Sequence, residues 1–224
     1  MSNFFSYESK PMQILMLVGD LIILNIVYLL CCLPIFTMGA AQAGMYTAAK
    51  VMLDKEDDSS LTAAFFRGFK SGFGSVTLAW GIVTLILAFV AFTGYNALYY
   101  GGSIWIVGIG LVVCAWYQCA IPAFHSRFSC TALQLFRNAA LLLFAHPLRT
   151  LGICILMWAP IVLLILLPGY FMLLTPIWIM LYYSTAMVFG YTFMKKPFQT
   201  LIDHFNETHP ENKEAETEAP ALPE

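Results

Sequence analysis

Apolar residues run almost unbroken along this chain, and the polar positions fall mainly at the joints between runs. Six apolar segments can be marked, at 13–33, 35–53, 73–98, 104–124, 149–167 and 170–193. Continuous runs about 20 residues long match the hydrocarbon thickness of a bilayer crossed by a helix. Backbone groups in hydrocarbon must be paired internally, and runs that do not alternate select helices over a barrel. The pattern predicts an all-α integral membrane bundle of five to six spans. The second segment decides between the two counts, because it is less apolar and carries Gln42 and Lys50.

Two short stretches have helical rather than continuous periodicity. Between Leu61 and Phe73, the residues Leu61, Phe65, Phe66, Phe69 and Phe73 share one face, and Arg67, Lys70 and Ser71 lie off it. Between Thr131 and Phe144, a polar stripe of Thr131, Gln134, Arg137 and Asn138 opposes Leu, Phe and Ala. Both are expected to be amphipathic helices in the cytoplasmic interface. A weak internal repeat has the same form: a short amphipathic piece, then a helical hairpin, used three times. Phe4-Phe5, Phe65-Phe66 and Leu135-Phe136-Arg137 mark the three starts.

Composition agrees with the pattern. Of 224 residues, 60% are hydrophobic and 11% charged, against about 25% charged in soluble domains. The run from Ile14 to Phe36 is longer than a signal-peptide core, so Ala41-Gln42-Ala43 is not read as a cleavage site. Lys and Arg cluster in three regions, at 50–70, 127–149 and 195–196. The loops Tyr99–Ser103 and Pro168-Gly169 carry no charge. The positive-inside rule puts the three basic regions and the C-terminus in the cytoplasm. From Asp203 the chain turns acidic and loses bulky apolar residues, so 1–202 reads as the membrane domain and 203–224 as a disordered tail.

Candidate chemistry is sparse. No Asp or Glu occurs between Asp58 and Asp203, which removes paired-carboxylate catalysis and carboxylate proton relays from four of the six segments. The six cysteines lack Cys-x-x-Cys spacing and no His completes a ligand set, so neither a metal nor a cofactor is expected. Ser71-Gly72-Phe73-Gly74-Ser75 has no histidine near it in sequence. No feature points to nucleic acid. The polar residues at membrane depth gather in the first two segments: Asp20, Asn25, Gln42 and Lys50. Asp20 lies 14 residues before Pro34 and Lys50 lies 16 after it, so a hairpin closing at Leu33-Pro34 would level them for a buried ion pair. Ala40, Ala43, Gly44, Thr47 and Ala48 form a small-residue stripe suited to close helix approach. Arg67, Lys70, Arg127, Arg137 and Arg149 are candidates for cytoplasmic docking.

The block Asn25-Ile26-Val27-Tyr28-Leu29-Leu30-Cys31-Cys32-Leu33-Pro34-Ile35-Phe36-Thr37-Met38-Gly39-Ala40 resembles the signature of the YesL family of bacterial membrane proteins. Phe65-Phe66-Arg67-Gly68-Phe69-Lys70 and His146-Pro147-Leu148-Arg149-Thr150 are similar to it downstream. Tyr28 stands where Trp is common in that signature. The resemblance implies a multipass protein of the bacterial cell membrane, encoded beside carbohydrate uptake ABC transporters and sensor kinases. On it rests the expectation of a non-enzymatic protein, accessory or regulatory to such a transporter or kinase, with the lipid bilayer and those subunits as partners. A small-solute, sugar-type permease without proton coupling is the alternative.

Overall fold

The computed structural model describes residues 10–54, 60–128, 131–170, 172, 175–176 and 178–208. Among them the chain is all-α, with no strand. Helix α1 (Lys10–Cys31) ends in a turn at Leu33-Pro34 and a single 3-10 turn (Ile35–Thr37). Then follow α2 (Met38–Asp54), α3 (Leu61–Gly72), α4 (Ser75–Tyr100), α5 (Ile104–His125), α6 (Ala132–Ala145) and α7 (Pro147–Leu166). A π-helical turn (Trp178–Tyr182) leads into α8 (Tyr183–Thr208). Four helices are long and apolar enough to cross a membrane: Met12–Cys31, Ser75–Tyr100, Trp105–His125 and Pro147–Leu166. The structure is therefore that of a membrane protein.

Helix α2 differs from these four. It is 17 residues long and buries Gly39, Ala40, Ala41, Ala43, Gly44, Met45, Tyr46, Ala48 and Ala49. Protein rather than lipid covers most of it. Its small-residue stripe packs antiparallel on α3 at backbone distance. A Cβ on Gly44 would sit 2.8 Å from the Phe65 carbonyl oxygen, and one on Gly68 would sit 2.6 Å from Thr47 Cβ. Small residues permit that approach, as in membrane helix pairs generally. The face α3 buries is therefore Ala64, Phe65, Gly68 and Gly72. The five-residue apolar face expected from sequence does not go in as a unit, because Phe66 and Phe73 are about half exposed. Arg67 and Lys70 face outward as expected.

The α1–α2 turn sits well short of the far end of the α4–α5 hairpin. A Cβ on Gly39 would lie 2.7 Å from Trp80 Cβ, and Trp80 is on the second turn of a helix running to Tyr100. The α4–α5 hairpin itself closes at Gly101, whose φ of 75° is in the left-handed region, and Gly102 donates to the Ala97 carbonyl at 2.9 Å. That is a helix stop a residue with a Cβ makes at a cost. Helix α6 starts at Thr131, where the Gln134 side chain accepts from both the Thr131 amide and hydroxyl at 3.1 Å. It buries Leu135, Ala139, Leu142 and Leu143 and turns Arg137 outward. The order amphipathic helix, then hairpin, thus occurs at α3–α4–α5 and again at α6–α7–α8. Phe4-Phe5, the start of the first copy in chain order, lies outside the described residues, as do Cys130 and 209–224. Helix α8 continues past Asp203 to Thr208.

Gly68→Ala forces Thr47 and the α2 backbone apart, and overpacking of this kind costs about 1–3 kcal/mol. A Cβ on Gly81 meets nothing within 4 Å. Thermal unfolding in detergent should show a lowered midpoint for Gly68→Ala and an unchanged one for Gly81→Ala.

Candidate functional site

The residues expected to form one intramembrane cluster separate: Asn25 meets the last helix, Gln42 lies beside Tyr28, Asp20 faces outward on α1, and Lys50 is half-buried near the end of α2. Asn25 is fully buried and binds the broken start of the last helix. Its Nδ2 donates to the carbonyl oxygens of Trp178 at 3.1 Å and Ile179 at 2.6 Å, and its Oδ1 accepts from the Ser184 amide at 2.9 Å. A π turn disrupts the regular i→i−4 ladder. One amide side chain on α1 satisfies both kinds of backbone group there, acceptor and donor. Tyr28, one turn on, packs its ring on Tyr183 with centroids 5.5 Å apart.

The rest of the block has comparable local roles. Pro34 ends α1. The Thr37 hydroxyl lies 2.6 Å from the Cys31 carbonyl oxygen and 2.7 Å from that of Pro34, closing the turn. Gly39 admits Trp80. Gln42 lies beside the Tyr28 hydroxyl.

Asp20 does not join this group. It faces outward, and among the described residues no ion pair links it to Lys50. The levels match as counted, but the helical phase does not. The buried line of α1 is Leu21, Leu24, Asn25 and Tyr28, and Asp20 lies roughly a quarter turn from it at about 100° per residue.

Among the described residues, the carboxylate drawn into the protein is Asp54, the last residue of α2. Its side chain is 6% exposed. Oδ2 accepts from Arg127 Nη2 at 2.7 Å and from the Tyr191 hydroxyl at 2.6 Å, and Oδ1 is 2.8 Å from Lys195 Nζ. The Arg127 guanidinium also lies over the Tyr191 ring, 5.4 Å from its centroid. This node joins α2, the end of α5 and α8. Sequence reasoning missed it, because Asp54 opens the run Asp54-Lys55-Glu56-Asp57-Asp58, which reads as a solvated loop. Arg127 is accordingly turned inward, and Lys70, Arg137 and Arg149 face outward.

A Ser–His contact also appears that sequence distance hides. His125 Nε2 is 3.5 Å from Ser71 Oγ. The Ser71 hydroxyl already donates to the Gly68 carbonyl, and His125 Nδ1 is buried without a hydrogen-bond partner. Among the described residues no third group orients the imidazole, which a nucleophile–base pair needs. Among the described residues no three His, Cys, Asp or Glu side chains gather as a metal site.

A cavity of about 360 Å³ lies where the α1–α2 turn meets α4, α5, α7 and α8. Its polar lining is Gln42, Gln118 and Thr84, its aromatic lining is Tyr28, Trp80, Trp158 and Tyr183, and among the described residues no charged side chain lines it. Gln118 Nε2 donates to Thr84 Oγ1 at 2.7 Å.

Residues 21–93 match the family model described as "Protein of unknown function, DUF624". The match contains the whole Asn25–Ala40 block and the α2–α3 contact. Comparison with curated proteins and with solved structures returns no match.

Burial alone would raise the Asp54 carboxyl. The hydrogen bonds from Lys195 and Tyr191 and the charge of Arg127 outweigh it, so its pKa lies below the ordinary aspartate value. A carboxylate lowered on folding stabilises the fold above its unfolded pKa, about 3.9, and loses that contribution as pH falls through the folded value. Stability in detergent should therefore drop between about pH 4 and the folded pKa, and this drop should be absent in Asp54→Asn. At neutral pH, Asp54→Ala should cost about 1.5–3 kcal/mol, the scale of a lost hydrogen bond to a charged group, because the inward-turned Arg127 loses the Asp54 carboxylate. Half-exposed Lys195 adds little.

Proposed function

We propose that this chain is a non-enzymatic multipass protein of the bacterial cell membrane, accessory or regulatory to a carbohydrate uptake ABC transporter or its sensor kinase. The resemblance of the Asn25–Ala40 block to the YesL signature supplies the setting. The observation that carries the reading is the division of labour among the cations. Arg127 holds one end of the bundle together through Asp54, with half-exposed Lys195 at its edge. Lys70, Arg137 and Arg149, on elements that adjoin that end, point outward. A braced end that presents positive charge suits an acidic face of a cytoplasmic subunit, and the positive-inside rule assigns that end, with the C-terminus, to the cytoplasm. Helices α3 and α6 would then lie near the interface plane.

Gentle extraction from native membranes, followed by affinity purification, should recover a permease or kinase subunit. Recovery should fall in Arg137→Glu/Arg149→Glu, both outward-facing positions, with the folded yield unchanged. Recovery of neither subunit from wild type contradicts the proposal.

A sugar-type permease is the second reading. The discontinuous start of the last helix, held by a buried Asn, favours it, since transporters place broken helices at their binding sites. Sugar flux into proteoliposomes that disappears in Gln42→Leu would select it.

A further inference from the structure

The cavity has two unlike ends. Its inner wall is buried: Gln118, Cys119, Trp80, Tyr28 and Met157 are each 8% exposed or less. At its other end are Ile35, 67% exposed, and Ile161, 45% exposed. Both belong to the apolar outer surface of the bundle, so the opening faces the medium that covers that surface. In a membrane protein that medium is lipid. The opening lies beside the last third of α7, where Ile161 stands seven residues before Pro168, and beside the first half of α4, away from the hairpin tip at Gly101.

The inner wall also offers an unused hydrogen-bonding group. Gln118 spends its amide nitrogen on Thr84. Its carbonyl oxygen has no partner among the described residues, although the residue is 5% exposed. That oxygen is not itself enclosed by protein, so it is open to the cavity, where an amide acceptor without a donor gains from one that a ligand brings. Nothing in the lining would balance an ionised headgroup, and a charge there would be penalised heavily. A free sugar presents many hydroxyls to a wall that is mainly hydrocarbon and aromatic ring, and Gln42, Gln118 and Thr84 cannot pair them all.

We infer that this cavity is a lateral binding site for a membrane-dissolved neutral amphiphile, with its uncharged hydroxyl or amide head on Gln118 and its apolar body between Trp80, Trp158 and Ile161. The volume, about 360 Å³, falls in the range of small-molecule sites, about 300–1,000 Å³. Ile161 guards the entry. Tyr28 and Tyr183, which line the cavity, belong to the same packing as the Asn25 contacts, so occupancy bears directly on the joint between α1 and α8.

The test is binding by the full chain in phosphatidylcholine nanodiscs, with empty nanodiscs as the partition control. Radiolabelled farnesol is the probe, and farnesyl phosphate and glucose are the competitors. The expected result is saturable farnesol binding, one per chain. It should weaken about tenfold in Gln118→Leu, the scale of one lost hydrogen bond. It should weaken at least as much in Ile161→Trp, which plugs the opening from an already exposed position and leaves the fold intact. Farnesyl phosphate and glucose should compete at least about tenfold less well than unlabelled farnesol. Three results overturn the proposal: farnesol uptake equal to that of empty nanodiscs, binding unchanged in Ile161→Trp, or glucose competing as well as farnesol. Loss of subunit recovery, the failure of the accessory reading, leaves these outcomes unaffected.

Discussion

Hydrocarbon tolerates no unpaired backbone group, and the last helical segment of this protein begins irregularly where such groups are exposed. The other features of the centre follow from how that problem is solved. Asn25, from the far end of the sequence, accepts from one orphan amide and donates to two carbonyls. A side-chain amide suits the task because it carries donor and acceptor together without charge. Once α1 is tied to α8 in this way, Tyr28 meets Tyr183, the Pro34 turn falls beside Trp80, and α2 is held inside the bundle. A broken helix in a membrane is acceptable where protein covers the break, and α1 provides the cover.

The second constraint is closeness. Helix α2 is too short and too rich in Gly and Ala to gain much from lipid contact, and its contribution is the approach it allows. Gly44 and Gly68 bring α3 against it, and Gly39 brings α4. The packing fixes where Asp54 emerges, and Asp54 then gathers Arg127, Tyr191 and Lys195. Neutral hydrogen bonds hold the middle of the bundle, and charged ones hold the basic end. The cavity lies in the neutral part, which limits what it can accept.

Much of the architecture was legible because hydropathy in membranes is a strong signal. The four long apolar helices, the short helices at 61–72 and 132–145, the break at Pro34 and the small-residue stripe all follow from spacing and residue type. The site was less legible, for two physical reasons. A level along a hairpin can be counted, but helical phase decides contact, so Asp20 and Lys50 matched in height and did not pair. Long-range partners leave no local mark. Asp54 is hidden in a charged run, its partners are 73 and 137 residues away, and Asn25 reads as one isolated amide until the distant π turn is placed beside it. Gln118, Trp80 and Trp158 leave no local mark for the same reason. Each is unremarkable in its own helix, and only the packing of six helices makes them a wall.

The claim that Asn25 secures the joint between α1 and α8 is tested most directly by amide hydrogen exchange, resolved over residues 178–190, in wild type and Asn25→Leu. The account predicts that the Ser184 amide and its neighbours exchange slowly in wild type. In the variant they should lose that protection while α5, which Asn25 does not touch, keeps its own. Equal protection of Ser184 in both proteins would contradict it.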